Sequence, residues 1–167
     1  MNIYGYCRIS TAKQSIDRQI RNIKAEYPTA HIVQEAYTGT SIFRPEWLKL
    51  YRVLKAGDTV VFDSVSRMSR NAEEGFALYE DLYHKGIRLV FLKEHHIDTE
   101  TYKKALSGSI AMTGTNVDFI LKGINEYLMA LAKEQIKLAF EQSEKEVADL
   151  HQRTREGLLT ARLNGKQ

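Results

Sequence analysis

Arg8 and Ser10 stand two residues apart where an apolar run, "IYGYCRI", gives way to the polar stretch "STAKQSIDRQ". Arg67 and Arg70 stand three apart in "DSVSRMSRN", directly after another apolar run, "DTVVF". Arg44 closes a polar segment, "TGTSIFR", just ahead of Pro45. A guanidinium group stays charged and offers a planar fork that matches phosphate oxygens. A serine among such groups suggests a nucleophile that attacks phosphorus while the arginines stabilise charge on the equatorial oxygens. Arginines would then supply the electrostatics without a metal. Each piece has a plainer reading as well. A serine before a helix is commonly an N-cap, and two arginines at helical spacing are commonly a solvated face. Cys7, Tyr4 and Tyr6 read as packing residues, and Glu35 reads as a solvated strand end.

The surrounding elements decide whether these residues can meet. Residues 3–9 read as a strand, followed by a helix over "STAKQSIDRQIRNIKAEY" capped by Ser10 or Thr11, with Ile16, Ile20 and Ile23 on one stripe. "HIVQEAY" reads as a second strand, and Pro45 opens a helix that offers Trp47, Leu48, Tyr51 and Leu54 for packing. "DTVVFDSV" reads as a third strand, apolar enough to be covered on both faces. "NAEEGFALYEDLYHKG" reads as a helix stopped at Gly86, and "IRLVFLKE" as a fourth strand. This alternation predicts an α/β fold, a mostly parallel sheet of four to five strands flanked by helices. Ligands of such sheets bind at the carboxyl ends of the strands. Arg8 with Ser10, Arg44, and Arg67 with Arg70 all fall near such ends, so four arginines and a serine can reach one edge.

After the fourth strand the pattern changes. Residues 95–116 form a mixed, glycine-bearing connection with room for one short helix. From Asp118 to about Leu163 there is no proline, and apolar residues recur at spacings of three and four: Leu121, Ile124, Leu128, Leu131, Ile136, Phe140, Val147, Leu150, Leu158 and Ala161. One long helix, or two in line, is expected there. It is too long for a compact domain to cover, so its apolar face is expected to meet another chain, the alternative being a helix folded back on its own sheet. The expected division is residues 1–117 as an α/β core with its connection, and residues 118–167 as a long oligomerisation helix.

Composition excludes several classes. The chain has 167 residues, 43% hydrophobic and 27% charged, as an ordinary globular domain does. A lone Cys7 excludes an internal disulfide, and five scattered histidines give no Cys/His metal spacing. No apolar run approaches the roughly 20 residues of a membrane-spanning helix. A net charge of +3 permits nucleic-acid binding without arguing for it. A nucleotide binder of doubly wound type is disfavoured, because neither GxGxxG nor GxxxxGK[ST] occurs. Residues and spacing alone reach a phosphate-handling α/β domain.

Four segments add a family resemblance. "YGYCRISTAKQSIDRQ", "AYTGTSIFRPEW" and "VFDSVSRMSRN", with "QRTREGLLTARLNGK" at the far end of the long helix, resemble the catalytic domain of the serine recombinases. These are the resolvase/invertase family of site-specific DNA recombinases. The resemblance implies that Ser10 is the nucleophile, Arg8 its immediate partner, and Arg44, Arg67 and Arg70 the further catalytic arginines. Gln14 and Gln19 match polar positions on the following helix. These two, with the basic residues Arg153, Arg155 and Arg162, are expected to contact DNA. The reaction implied is attack on a DNA phosphodiester to give a 5′-phosphoseryl link and a free 3′-hydroxyl, strand exchange in a tetramer of two dimers, and rejoining. No metal and no cofactor is implied. The implied partners are double-stranded DNA and further copies of this chain, in a bacterial or mobile-element protein of the cytoplasm.

Two positions depart from the family pattern. Ser66 stands where an aspartate commonly precedes the first arginine of the pair, and Glu35 stands where the second strand commonly ends in aspartate. No residue is thereby assigned as proton donor. A catalytically silent homologue that binds or synapses DNA is the alternative. Residues 95–116 are longer than the small resolvases need and look like those of the larger members. The chain is expected to be the catalytic part of a longer protein, with its DNA-binding region absent.

Overall fold

The computed structural model describes residues 1–9, 16–36, 44–69, 71–107 and 110–165. The elements are β1 (Ile3–Arg8), α1 (Asp17–Glu26), β2 (His31–Glu35), α2 (Pro45–Val53), β3 (Thr59–Phe62), α3 (Val65–Met68), α4 (Ala72–His84), β4 (Arg88–Phe91), a 3-10 turn (His95–Ile97), α5 (Thr99–Ser107) and α6 (Asp118–Leu163). The four described strands form one parallel sheet in the order β2-β1-β3-β4. Tyr6 aligns with Val33 and Phe62, and Phe62 aligns with Phe91. Because every strand is parallel, every connection crosses over, and all carboxyl ends share one edge. The chain reaches β2 on one side of β1 and β3 on the other. The crevice at the carboxyl ends of β1 and β3 is therefore the topological switch point, where open α/β sheets bind ligands.

Both faces of the sheet are covered, which is why β3 is apolar without alternation. Cys7, Val61 and Val90 pack with Ile23 of α1 on one face. Tyr6, Val60, Phe62, Leu89 and Phe91 pack on the other with Trp47, Leu82 and Phe140. The aromatic rings run in series there: Tyr6 lies edge-on to Trp47, Phe62 stacks on Phe91, and Phe91 meets Phe140. Gly86 ends α4 as the sequence predicts, at φ +81°, a left-handed turn that favours glycine.

Three boundaries differ from the sequence expectation. Helix α1 begins at Asp17 with Ile16 at its N-cap and no side-chain cap, while the expected caps Ser10 and Thr11 lie outside the described residues. Strand β3 stops at Phe62, not Val65, because residues 63–64 bend into the short helix α3. Ser69 then returns to extended backbone (φ −156°, ψ 151°), so the helical turn that carries Arg67 ends at Met68, and Arg70 lies outside the described residues.

Helix α6 is continuous over 46 residues, roughly 69 Å at 1.5 Å per residue. Its middle packs against α3, α4 and α5, through the buried Ile136, Ala139 and Phe140. Gly75 on α4 makes this approach possible, since a Cβ there would sit 2.6 Å from the Phe140 ring. Away from that contact the helix exposes Phe119, Ile120, Tyr127, Leu158 and Leu163. The side chains of Val147 and Leu150 lie outside those described. No helix among the described residues is long and apolar enough to cross a membrane.

Candidate active site

The end of β1 is held from below by α1. Gln19, only 3% exposed, accepts from the Arg8 amide at 3.1 Å and donates to the Arg8 carbonyl at 2.8 Å. Its side chain thus imitates a strand partner and fixes the backbone at the end of β1. Gln19, expected from the resemblance to contact DNA, is in this structure engaged by the main chain of Arg8. A buried amide must satisfy its own donor and acceptor, and the Arg8 backbone serves both here.

Across the switch point lies α3. Arg67 of this turn donates to the Arg8 carbonyl at 3.0 Å, and Arg8 returns a bond to the Ser66 carbonyl at 2.6 Å. Arg44 reaches the same turn from the start of α2 and donates to the Met68 carbonyl at 2.6 Å. Its guanidinium carbon also lies 5.9 Å from the Tyr6 ring centre and 5.7 Å from that of Trp47. Arg8, Arg44 and Arg67 are all half-buried. Arg8 and Arg44, far apart in sequence, therefore meet Arg67 at the four residues of α3. Such a cluster, fixed by backbone carbonyls, suits an anion with several equivalent oxygens.

Acidic residues hold the frame. Glu35 is 1% exposed, not a solvated strand end. It accepts from Tyr6 Oη at 3.2 Å and from the Trp47 amide at 2.9 Å, so it caps the N-terminus of α2 and favours the helix dipole. Burial raises the Tyr6 hydroxyl well above the ordinary tyrosine range, opposed by Arg44 and Arg8 and reinforced by Glu35. Tyr6 stays a neutral donor as a result. Burial likewise pushes the Cys7 thiol up to about 12, Asp63 adding to it and Arg67 opposing. Cys7 is then an inert thiol at neutral pH and no rival nucleophile. Asp63, also buried, accepts from Asn22 of α1 at 2.9 Å and pairs with Lys93 at 3.4 Å. Glu94, just past β4, accepts from the Val65 amide at 3.1 Å. The sequence carries no signal for Glu94, and it offers Asp63 only as a strand carboxylate near the arginine pair, because their partners are brought near only by the fold.

Ser10, Gln14 and Arg70 lie outside the described residues. Arg153, Arg155 and Arg162 are exposed in the C-terminal part of α6.

Comparison with known proteins fits this arrangement. Residues 3–136 match the family model for the resolvase N-terminal domain. The chain belongs to the resolvase family. Over 159 residues it is 27% identical to the transposon Tn21 resolvase of Escherichia coli, covering 92% of this chain and 83% of that protein. A resolvase of Clostridium perfringens is 28% identical over 166 residues, covering 98% of this chain and 74% of that protein. A resolvase family site-specific recombinase from Streptococcus pneumoniae, of known structure, aligns with a TM-score of 0.47 at 20% identity, covering 96% of this chain and 97% of that one. Membership places this resolvase-family domain within site-specific recombination.

Proposed function

We propose that this domain cuts and rejoins DNA with Ser10 as nucleophile. The Ser10 oxygen attacks a backbone phosphorus and forms a phosphoserine ester as the bond to the 3′-oxygen breaks. The serine gives up one proton and the departing 3′-oxygen takes one, so the exchange is balanced. The 5′-phosphoseryl link keeps the ester energy, and attack by a 3′-hydroxyl reverses the step without ATP. Arg8, Arg44, Arg67 and Arg70 stabilise the charge on the phosphorane oxygens. The observation that carries this reading is the meeting of Arg8 and Arg44 with Arg67 at α3, beside the switch point at the carboxyl end of β1.

Gln14 reads as a DNA contact near the nucleophile. Arg153, Arg155 and Arg162 would lie along the DNA backbone beyond the cluster. The exposed apolar residues of α6 support a homodimer, and two dimers would form the tetramer in which strands exchange. The core of residues 1–117 would carry the chemistry and the helix of residues 118–167 the assembly.

The test tethers the chain to DNA through an unrelated zinc-finger module on both sides of a varied central sequence. End-labelled strands should be cut to give protein on the 5′ end and a 3′-hydroxyl that a polymerase extends. The Ser10→Ala chain should associate and bind without cutting. Cutting by that variant, or protein on the 3′ end, overturns the assignment. A silent homologue is the second reading, favoured by Ser66 in place of a carboxylate. Binding and synapsis with no cut at any central sequence would establish it.

A further inference from the structure

Helix α3 begins without a cap of its own. Ser64 holds the N-cap position and is a good residue type for it. Yet its side chain makes no capping bond, and its hydroxyl lies 2.6 Å from that of Ser66. The first amide of the turn, at Val65, instead donates to Glu94 Oε2 at 3.1 Å, across 29 residues of sequence. Glu94 arrives there by a continued ladder. Leu92 donates to the Phe62 carbonyl at 3.0 Å and Lys93 to the Asp63 carbonyl at 3.1 Å, so residues past β4 keep step with residues past β3. Lys93 and Asn22 both engage the buried Asp63 carboxylate, which fixes the same corner from two elements.

What Glu94 holds is the turn to which the arginines are referenced. The Ser66 carbonyl holds Arg8, the Met68 carbonyl holds Arg44, and Arg67 holds the carbonyl of Arg8. A turn that slides or unwinds moves all three guanidinium groups at once. We propose that Glu94 is a positioning residue of the recombination site, capping α3 so that Arg8, Arg44 and Arg67 keep their mutual placement. This rests on the reading of the site given above and extends it to a residue outside the cluster.

The energetics separate positioning from simple stability. Burial raises Glu94 above the usual carboxylate range, opposed by the Val65 amide and Lys93 and reinforced by Asp63 and Glu146. A carboxylate whose folded value is raised binds its proton more readily in the folded state. Its charge costs stability at neutral pH, and that cost is relieved as pH falls through the folded value. Glu94 thus costs stability as a charge while making its capping contact to the arginine turn. Sites that place a reacting group often carry such a cost.

Glu94→Gln keeps an oxygen for the Val65 amide and removes the charge, whereas Glu94→Ala removes both. Three readouts on the tethered chain decide the matter: the melting temperature, amide hydrogen exchange of residues 64–68, and the rate of covalent adduct formation on DNA. Glu94→Ala should exchange these amides and form adduct with changes of about tenfold, faster and slower respectively, as the loss of one charge-assisted bond implies. Glu94→Gln should restore both and melt at or above the parent. Parental exchange in Glu94→Ala overturns the proposal, as does a slow adduct that Glu94→Gln fails to rescue. A parent chain that forms no adduct overturns the recombination reading instead, and with it any role for Glu94 beyond capping α3.

Discussion

Replacing Gln19 by leucine keeps the buried volume and removes both bonds to the main chain of Arg8. The Arg8 amide loses an acceptor at 3.1 Å, while its carbonyl loses one donor at 2.8 Å but keeps Arg67 at 3.0 Å. A stranded amide costs about 1–3 kcal/mol, and the second bond adds about 0.5–1.5 kcal/mol. The apolar side chain returns part of this, leaving a net loss of about 2 kcal/mol. For a chain of this length each kcal/mol lowers the melting temperature by about 2–4 °C, so Gln19→Leu should melt roughly 4–8 °C below the parent. Circular dichroism measures the melt, and a binding titration well below that temperature measures DNA affinity. The buried position predicts a lower melt with affinity unchanged. A parental melt with weakened DNA binding would refute the clamp and return Gln19 to the DNA surface.

Gly75→Ala places a Cβ 2.6 Å from the Phe140 ring and should destabilise by about 1–3 kcal/mol in urea titrations, with an unchanged midpoint refuting the close approach. His95 titrates above its usual value, chiefly through its hydrogen bond to Asp98, with burial opposing and the charges of Asp98 and Glu26 adding. A raised histidine contributes stability fully below its unfolded value, near 6.5, and loses it as pH rises through the folded value. His95→Gln should therefore be less stable than the parent near pH 6 and equal to it near pH 9, whereas an equal deficit at both would contradict the linkage. Charges placed on the open face of α6, Ile124→Glu with Leu131→Glu, should shift sedimentation toward the monomer without lowering the melt of the core. Sedimentation unchanged from the parent would move the self-association surface elsewhere.

Period and punctuation made the sheet legible. Val60, Val61 and Phe62 form an apolar run that only a doubly covered strand explains, and Gly86 closes α4 at the position its type demands. The long helix was legible from its spacing and its lack of proline. Its seating on the core was not, because it depends on Gly75, whose meaning appears only when Phe140 is beside it. Within the site, residue type pointed to Arg8, Arg44 and Arg67 but not to how they are held. Arg8 and Arg44 bind backbone carbonyls of α3 and Arg67 binds that of Arg8, and a carbonyl leaves no trace in sequence. Glu35 reads as solvated by position and Gln19 as polar surface by type. Both are buried because a helix terminus and a strand end need partners at those points. Spacing also suggested a longer helical stretch around Arg67 than the four-residue turn that forms.

The central claim is a covalent bond between this domain and DNA, and mass spectrometry tests it most directly. The tethered chain would be trapped on DNA in denaturant, digested with protease and nuclease, and sequenced for the modified peptide, with Ser10→Ala as control. The mechanism predicts a nucleotide 5′-phosphate on Ser10 in the parent and no adduct in the variant. An adduct on another residue, or one that persists in Ser10→Ala, would contradict it.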